Sequence, residues 1–446
     1  MSEQRRQSII IVGGGASGVI LAAHLLRSSA TALRVTLVEK RDTFGQGIAY
    51  STSLDDHLLN VSAMGMSALA HDPEHFWRWV RRHGYAGDAD GPYYAPRRIY
   101  ATYLREVLDD LVAAEPVRLR LVSEEAVSIS TTATGVEVAL ANGSSLIGHA
   151  CVLAAGHDEQ PETQRHFSVR IDGAYDGSID PDATVLILGT GLSMVDAWLS
   201  LEARGHRGQV VALSRRGLLP SPHKVGKPIR LDAADIPLGT ELSYFVRWFR
   251  DLVRATEVRG GDWRDVVDGM RPFNQKIWQS WPASAKRRFM EHTKAWWDVH
   301  RHRMAPKIHE KLSQAVQTGR LRLVAGRLSG VEQVGDAFSV SIEHRQNRRA
   351  EALDVARIYD CTGITKDPSL GSIRIVRALI DQNLARPDAM KIGLDVTHDC
   401  AIVDADGEPS SVLYAVGPLT RGAFFEIDAV PDIRAQCSTF AARLVP

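Results

Sequence analysis

Two stretches of the chain share one pattern of apolar and small residues. Residues 8–26 (SIIIVGGGASGVILAAHLL) and residues 185–196 (VLILGTGLSMVD) each begin with a continuous apolar run, pass through glycines and continue with apolar positions at helical spacing. A short apolar run that ends in glycine is typical of a buried strand, and the period that follows is typical of a helix. The pattern predicts two strand–turn–helix units, whose first glycines, Gly13 and Gly189, are 176 residues apart.

The first glycine turn has the spacing GxGxxG. Glycines at these positions permit a tight turn, a close approach of the backbone to a pyrophosphate and contact between helix and strand, and the N-terminus of the following helix attracts phosphate. A second predicted strand, residues 33–38, ends at Glu39, 26 residues after Gly13. A carboxylate at that position can accept hydrogen bonds from ribose hydroxyls. The unit predicts a dinucleotide site, most simply for FAD, formed by Gly13, Gly15, Ser17, Gly18, Glu39 and Lys40.

The second turn follows the same plan with a different residue at the ribose position. Gly189 and Gly191 follow the predicted strand 184–188, and the predicted strand 209–213 is followed by Ser214, Arg215 and Arg216. A carboxylate there would repel a 2′-phosphate, whereas arginines bind it through paired hydrogen bonds. The pattern predicts NADPH in preference to NADH. The alternative is a pair of solvated arginines at the end of a strand.

Length and composition narrow the class of protein. A chain of 446 residues exceeds what one hydrophobic core usually supports, so two domains are expected. Lys+Arg and Asp+Glu number 53 each, so no net field favours nucleic acid or a membrane surface as a partner, and no apolar run reaches the roughly 18 residues of a membrane span. The four cysteines are scattered without a CxxC motif, which predicts a cytoplasmic protein and argues against a disulfide reductase.

Two later strands suggest how the domains are connected. Residues 149–156 (HACVLAAG) and 356–363 (ARIYDCTG) end at Gly156 and Gly363 and look like the small-residue turns at which the chain crosses between the domains of two-domain flavoproteins. The expected fold class is α/β, with two Rossmann-like dinucleotide-binding domains, for FAD and NADPH, and a helical insertion in the second. The predicted domains are an FAD domain at 1–175 and 356–446, and an NADP domain at 176–355 with its insertion at about 217–312.

Several longer segments carry a resemblance to a known family. In order, they are FGQGIAYS (44–51), HLLNVSAMGMS (57–67), DPEHFWRW (72–79), PRRIYATYL (96–104), WWDVHRHRMAP (296–306) and GPLTRGAFFEIDAVPDIRAQ (417–436). The chain resembles the FAD/NAD(P)-binding proteins that are similar in architecture to flavin-containing and N-hydroxylating monooxygenases. This resemblance implies the fold and the cofactors, FAD and NADPH, over nearly the whole chain.

The resemblance also implies roles for individual residues. Expected along the FAD pyrophosphate and ribityl chain are Gln46, Gly47 and Ala49; against the flavin ring Leu59, Asn60 and Met64; at the adenine the backbone of Val127; and in the late flavin-contacting turn and helix start Gly417 and Ala429. The family's usual Asp after the glycine of that turn is Pro418 here, which removes one expected contact to the ribityl chain. Asn60 as a turn cap and Met64 as a core residue are the structural alternatives.

The predicted insertion is rich in tryptophan and arginine. It holds six of the nine tryptophans, and residues 214–312 carry 20 Lys+Arg against 11 Asp+Glu. One interpretation is that Arg301 or Arg303 binds an anionic substrate. The other is that arginines stack on tryptophans and pin the insertion to the FAD domain. Histidines two apart beside arginines do not form a metal site, so no metal is expected, and His302 is a candidate acid or base near the flavin.

NADPH beside FAD predicts hydride transfer to the flavin, and the second half-reaction has alternatives. The first is a monooxygenase that reacts with O₂ through a C4a-peroxyflavin and hydroxylates a small amine. The second is a reductase or dehydrogenase that passes electrons to a small molecule or a partner protein, and the third is a nucleotide-binding sensor. The fingerprint FxGxxxHxxxW of Baeyer–Villiger enzymes is absent between the two units, so ketone insertion is not expected. No pattern identifies the substrate or the oligomeric state.

Overall fold

The computed structural model describes residues 7–28, 33–87, 91–157, 179–363 and 367–444. Within these ranges the chain forms two six-stranded sheets and one three-stranded sheet. The predicted boundary between 175 and 176 lies outside the described residues. None of the described helices combines the length and the apolar character needed to cross a lipid bilayer.

The first domain is built on a mostly parallel sheet. Its elements before the crossover are β1 (Ser8–Val12), α1 (Ala16–Ser28), β2 (Arg34–Glu39), α2 (His75–Arg82), α3 (Arg97–Ala114), β3 (Leu119–Ser123), β4 (Ala126–Thr132), β5 (Gly135–Leu140), β6 (Ser145–Gly148) and β7 (Ala150–Leu153). Those that return to it near the end of the chain are α11 (Arg374–Asp381), β14 (Ala401–Val403), β15 (Pro409–Ala415) and α12 (Val430–Leu444). The sheet order is β14-β15-β7-β1-β2-β3, and β4-β5-β6 form the small antiparallel sheet.

The second domain repeats the parallel arrangement. Its elements are β8 (Val185–Leu188), α4 (Leu192–Ala203), β9 (Val210–Ser214), α5 (Leu242–Val258), α6 (Trp263–Met270), α7 (Asn274–Ser280), α8 (Ala283–Arg288), α9 (Lys294–Arg301), α10 (Pro306–Gln317), β10 (Leu321–Val334), β11 (Ala337–His344), β12 (Ala350–Val355) and β13 (Arg357–Asp360). The sheet order is β12-β11-β10-β9-β8-β13, parallel from β10 to β13 and antiparallel beyond β10. The predicted α/β class with two Rossmann-like units is confirmed.

The central strands are apolar because both faces of each sheet are covered. In β1 Ile11 is fully buried, as are the four residues of β8 to within a few per cent. Parallel strands enclosed by helices need apolar side chains on both faces, which explains their continuous apolar sequences. The two glycine turns therefore lie at the carboxyl ends of strands, where open α/β sheets bind their ligands.

Two predicted boundaries differ from the structure. Strand β13 pairs with β8, so the chain leaves the second sheet after Asp360, five residues beyond the predicted boundary at 355. The predicted insertion end at 312 falls inside α10, whose buried residues Ile308, Leu312 and Ala315 pack in the core of the second sheet. Sequence periodicity does not distinguish a helix that packs on the sheet from one that belongs to an insertion.

Candidate functional site

The first dinucleotide cleft opens at the carboxyl ends of β1, β2 and β7. Gly13 has φ of 111°, and a Cβ placed there would lie 2.4 Å from the carbonyl oxygen of Ala154. No side chain fits this contact, so glycine is required by the close passage of β7. Helix α1 begins three residues later at Ala16 and turns its N-terminal N–H groups towards the cleft.

Glu39 ends β2 and faces this cleft. Its Oε2 accepts a hydrogen bond from the backbone N–H of Gly14 at 2.7 Å, and its Oε1 accepts one from the backbone N–H of Arg41 at 3.1 Å. A carboxylate has about four acceptor positions, so each oxygen retains capacity for a ribose hydroxyl. The two backbone contacts hold the carboxylate beside the glycine turn, which is the geometry that an adenosine ribose requires.

Nine of the residues predicted for the first site line this cleft. They are Gly13, Gly15, Ser17, Glu39, Lys40, Gln46, Gly47, Ala49 and Gly156. Gly15 and Gly47 approach so closely that a Cβ on Gly15 would lie 3.4 Å from the Gly47 Cα. The loop after β2 therefore covers the phosphate-binding turn, and the residues present fit an elongated dinucleotide.

Other predicted positions lie away from the lining of this cleft. Gly18 packs beneath the turn, Leu59 is in the core, and Met64 is 54% exposed on a 3₁₀ turn. The carbonyl of Asn60 accepts a hydrogen bond from His223 Nε2, and Val127 follows Ala126, which does line the cleft.

The two late positions belong to the segment before α12. The N–H of Gly417 donates to Gln436 Oε1 at 2.7 Å, and the carbonyl of Ala429 caps the first turn of α12 by accepting from Asp432 and Ile433. The predicted contacts of Gly18, Leu59, Asn60, Met64, Val127, Gly417 and Ala429 to a cofactor stay predictions.

Three residues that the sequence did not single out form a polar cluster at the inner end of the first cleft. Asp428 Oδ1 lies 3.4 Å from Arg421 Nε and 3.7 Å from His157 Nε2. Arg421 donates to His157 Nδ1 at 3.1 Å, and a guanidinium can only donate, so the neutral imidazole carries its proton on Nε2, towards Asp428. His157 directly follows Gly156 at the end of β7, a position that could have been noticed in the sequence.

The ionisation of this cluster follows from its surroundings. Burial lowers the pKa of His157 below its ordinary value, against the opposing effect of Asp428. Burial alone would raise the pKa of Asp428, but Arg421, His157 and His302 outweigh it and hold that pKa below the usual range. At neutral pH the cluster is therefore a carboxylate, a guanidinium and a neutral imidazole, and Asp428 and His157 both line the cleft.

The second cleft repeats the construction of the first. Gly189 has φ of 107°, and a Cβ there would lie 2.3 Å from the carbonyl oxygen of Cys361, just as Gly13 meets Ala154. Gly191, Ser214, Arg215 and Gly363 line the same cleft, whose volume is about 840 Å³. The volume and the helix N-terminus of α4 fit a second dinucleotide.

The Ser-Arg-Arg segment separates into three roles. Ser214 Oγ accepts from the N–H of Gly217 at 2.9 Å and contacts Thr190 Oγ1 at 2.8 Å, which shapes the turn. Arg215 lines the cleft. Arg216 is directed to the insertion, where it donates to the carbonyl of His292 at 2.8 Å and lies over the Trp296 ring.

A third arginine joins this group from the other side of the sheet. Arg345 donates to the backbone carbonyl of Arg215 at 3.4 Å. Burial, Arg345 and Arg215 together lower the pKa of Arg216 from its ordinary value. The end of β9 therefore carries concentrated positive charge, and Arg345 could not be connected with it from sequence spacing.

Helix α9 lies between the two clefts. Lys294, Asp298 and His302 line the second cleft, while Glu426, beside α9, is at the centre of a buried hydrogen-bonded network. Glu426 Oε2 accepts from Asn274 Nδ2 at 2.7 Å and from Arg301 Nε at 3.0 Å, and Oε1 accepts from the indole N–H of Trp297. The three donors belong to the insertion, whereas Glu426 belongs to the first domain.

The backbone and ionisation of Glu426 are unusual. Its φ is 64°, a left-handed conformation that is costly for a non-glycine residue and is often found at functional sites. Burial favours its neutral form, but Arg301, His302 and the hydrogen bonds from Trp297 and Asn274 hold its pKa below the usual value. Glu426 is thus a buried carboxylate, kept charged by the insertion.

The three candidate catalytic residues have different environments. Arg301 is 10% exposed and paired with Glu426, and Arg303 is 4% exposed and paired with Asp268. These pairs support the pinning interpretation, with carboxylates in place of tryptophan rings as the partners. His302 lines the second cleft, its Nε2 lies 4.0 Å from Glu426 Oε1, and burial lowers its pKa.

A smaller polar cavity adjoins this network. It has a volume of about 370 Å³ and lies between α7 and α12. Arg301 and Glu426 line it from one side, and Arg271 and Asp432, which form an ion pair at 3.0 Å, line it from the other. The cavity carries both carboxylates and guanidinium groups, so it offers partners to a molecule with both charges.

Comparisons with known proteins agree with this geometry. Residues 10–158 match a family described as FAD-NAD(P)-binding, which includes the first glycine turn, Glu39 and Gly156. A comparison by sequence with curated proteins finds no match. The first third of the chain is thus an FAD-NAD(P)-binding domain, as the resemblance implies.

Solved structures extend the likeness to the whole chain. The ornithine N-hydroxylase of Kutzneria sp. 744, solved with reduced FAD, NADP⁺ and L-ornithine, is 15% identical, with 98% of each chain covered and a TM-score of 0.66. The FAD-bound cadaverine monooxygenase of Erwinia amylovora is 13% identical over 97% of this chain and 92% of that one, at 0.68. A bacillithiol disulfide reductase of Staphylococcus aureus is 13% identical over 98% of both chains, at 0.54. At these identities the likeness shows the fold.

Proposed function

We propose that this protein is an FAD-dependent, NADPH-oxidising monooxygenase that hydroxylates a small amine-bearing molecule. The observation that carries the proposal is the convergence of the two clefts. Asp428 lines the first cleft, His302 lines the second, and the two are close enough for the histidine to lower the pKa of the carboxyl group. Two dinucleotide sites that meet in this way bring an electron donor and an electron carrier together.

The chain's own residues have separable tasks in this proposal. FAD, when bound, supplies the capacity to accept hydride from NADPH and to react with O₂. Glu39 and the first glycine turn hold its adenosine ribose and phosphates. Arg215 and Arg345 bind the 2′-phosphate of NADPH. Asp428, Arg421 and His157 form a hydrogen-bonded edge at the inner end of the cleft, where His157 holds a proton on Nε2.

The polar cavity supports an amine-bearing and charged substrate. Glu426 and Asp432 offer carboxylates to an ammonium group, and Arg271 offers a guanidinium to an anionic end. The neighbours described as ornithine, lysine and cadaverine hydroxylases favour the same chemical class. We therefore include O₂ and a small amine among the expected partners.

A reductase remains the second candidate, and the cysteines decide how it could work. Cys151, Cys400 and Cys437 are buried and free, and burial raises the pKa of Cys151 and of Cys400 to about 12. Cys361 is also free. Without a dithiol, electrons could only pass directly from reduced flavin to a small molecule or a protein partner.

The test compares oxygen consumption with product formation. Purified, FAD-loaded protein is incubated with NADPH and L-ornithine, L-lysine or cadaverine under ¹⁸O₂, and hydroxylamine products are measured by mass spectrometry. We expect incorporation of one ¹⁸O atom into one amine, in proportion to NADPH oxidised. NADPH oxidation that yields only H₂O₂ with every amine, and that continues anaerobically with an artificial electron acceptor, would support the reductase instead.

A further inference from the structure

The helical insertion contains an aromatic cavity that neither dinucleotide uses. It has a volume of about 660 Å³ and is lined by α5, α6, α9 and the turns between α7 and α9. Phe245, Phe249, Trp281, Phe289 and Trp297 form much of its wall. The volume lies within the range of small-molecule sites, and an apolar wall of this kind favours a ligand with an apolar body.

Local backbone geometry opens this cavity. Residues Phe289–Thr293 form one π-helical turn between α8 and α9 and contribute Phe289, His292 and Thr293 to the wall. A π turn widens a helix by one residue per turn and is found disproportionately at functional sites. The turn keeps Trp296, which is 48% exposed, at the edge of the cavity.

Positive charge is concentrated at the mouth. Arg250 and Arg254, one turn apart on α5, line the cavity with His292 and His300, against one carboxylate, Glu257. Arg254 contacts Asp251 at 3.2 Å on the surface. Arg250 has no hydrogen bond or ion pair to another described residue. An apolar wall with a basic mouth is complementary to an anion that has an apolar chain or ring.

The cavity shares a wall with the redox region. One face of α9 carries Trp297 and His300 into the cavity, and its other face carries Lys294 and Asp298 into the second cleft. Trp297 also donates its indole N–H to Glu426. A ligand in the cavity therefore lies behind α9, in a site separate from both clefts.

We propose that this aromatic cavity is a binding site for an apolar-bodied carboxylate, such as a medium-chain or aryl-substituted acid. Its apolar part packs against the aromatic wall, and its carboxylate pairs with Arg250 and Arg254. The proposal concerns binding alone and goes beyond the proposed function, because it does not depend on which reaction the flavin region performs.

The experiment uses three probes with one chain length: decanoate, decan-1-ol and decyltrimethylammonium. Each is titrated into the FAD-loaded protein by calorimetry, with tryptophan fluorescence as a second readout. We expect saturable binding of decanoate, weaker binding of decanol and weakest binding of the cation. Arg250→Ala with Arg254→Ala should weaken decanoate about five- to tenfold and leave decanol unchanged, since each exposed ion pair contributes modestly.

Two controls make the outcome decisive. Arg247→Ala removes an exposed charge from α5 outside the cavity and should leave decanoate binding unchanged. Val253→Trp fills the cavity and should abolish binding of all three probes, with unchanged FAD content as the check on folding. Equal binding of the three probes, or binding that survives Val253→Trp, would overturn the proposal. So would a dimer that decanoate dissociates in sedimentation velocity, because the cavity would then belong to a contact between two copies of the chain.

Discussion

Arg301 Nε lies 3.0 Å from Oε2 of Glu426, and this buried ion pair joins the helical insertion to the first dinucleotide domain. Both side chains are at least nine-tenths buried. A buried pair of this kind is retained because each charge needs the other once water has been excluded. The contact therefore couples the position of α9 to the segment that contributes Asp428 to the first cleft.

Glu426→Ala should destabilise the protein by about 3 kcal/mol or more, because it leaves the Arg301 guanidinium buried without its partner. Glu426→Gln should cost less, since an amide oxygen can still accept from Trp297. Urea unfolding followed by circular dichroism measures both. Asp109→Ala, which removes the exposed i,i+4 pair with Arg105, is the control and should change the unfolding free energy by about 0.5 kcal/mol or less. Equal losses in the two alanine variants would contradict a structural role for Glu426.

His223 predicts a pH dependence of stability. Burial, only partly offset by the hydrogen bond to the Asn60 carbonyl, lowers the pKa of His223 to about 4 from 6.5. The unfolded chain therefore binds a proton more readily than the folded one, so the stabilising contribution is complete above pH 6.5 and is lost as the pH falls towards 4. The loss reaches about 2 to 3 kcal/mol.

The measurement is the difference in unfolding free energy between pH 7 and pH 4.5 for the wild type and for His223→Gln. The glutamine side chain has no proton to gain in this range, so the variant should have the smaller difference. His292→Gln changes an exposed histidine and is the control. A pH dependence that is the same in all three proteins would contradict the assignment.

The sequence predicts those parts of the site that arise from contiguous segments. Both glycine turns, Glu39 and Arg215 are found where strand–turn–helix spacing expects them, since the order of the chain alone brings these residues to the end of a strand. Gly13 and Gly189 occupy equivalent positions for that reason, each against a neighbouring strand end.

The remaining parts depend on contacts between distant segments. Asp428, Arg421 and His157 meet only because the chain returns to the first domain after the second is complete, and Arg345 reaches Arg215 across the antiparallel extension of the sheet. Glu426 has an ordinary sequence context, and its left-handed backbone follows from the packing of the insertion against it. The two arginines of the Ser-Arg-Arg segment are equivalent in sequence, but only Trp296 and His292, on another helix, determine that Arg216 leaves the cleft.

The glycines of the second turn should respond differently to substitution. Gly189→Ala places a Cβ 2.3 Å from the Cys361 carbonyl at a positive φ, so it should disrupt the meeting of β8 and β13 and lower the melting temperature. Gly191→Ala meets nothing within 4 Å and has a negative φ, so it should leave the melting temperature within about 2 °C. It should nevertheless weaken NADPH binding, because a pyrophosphate approaches the backbone there. Thermal unfolding and equilibrium binding of NADPH separate the two effects, and equal melting temperatures would contradict the close packing at Gly189.

The preference for NADPH should depend on Arg215 and Arg345 more than on Arg216. Arg215→Ala and Arg345→Ala should each weaken NADPH about tenfold or more and leave NADH nearly unchanged, because only NADPH carries the 2′-phosphate that a guanidinium can bind. Arg216→Ala should have the smaller effect, since its side chain already donates to His292 and lies over Trp296. Equilibrium titration with both nucleotides gives the ratio of dissociation constants, with Arg349→Ala as an exposed control on the same surface turn. If Arg215→Ala weakens NADH as much as NADPH, its guanidinium does not bind the 2′-phosphate, and the second cleft selects the nucleotide by other contacts.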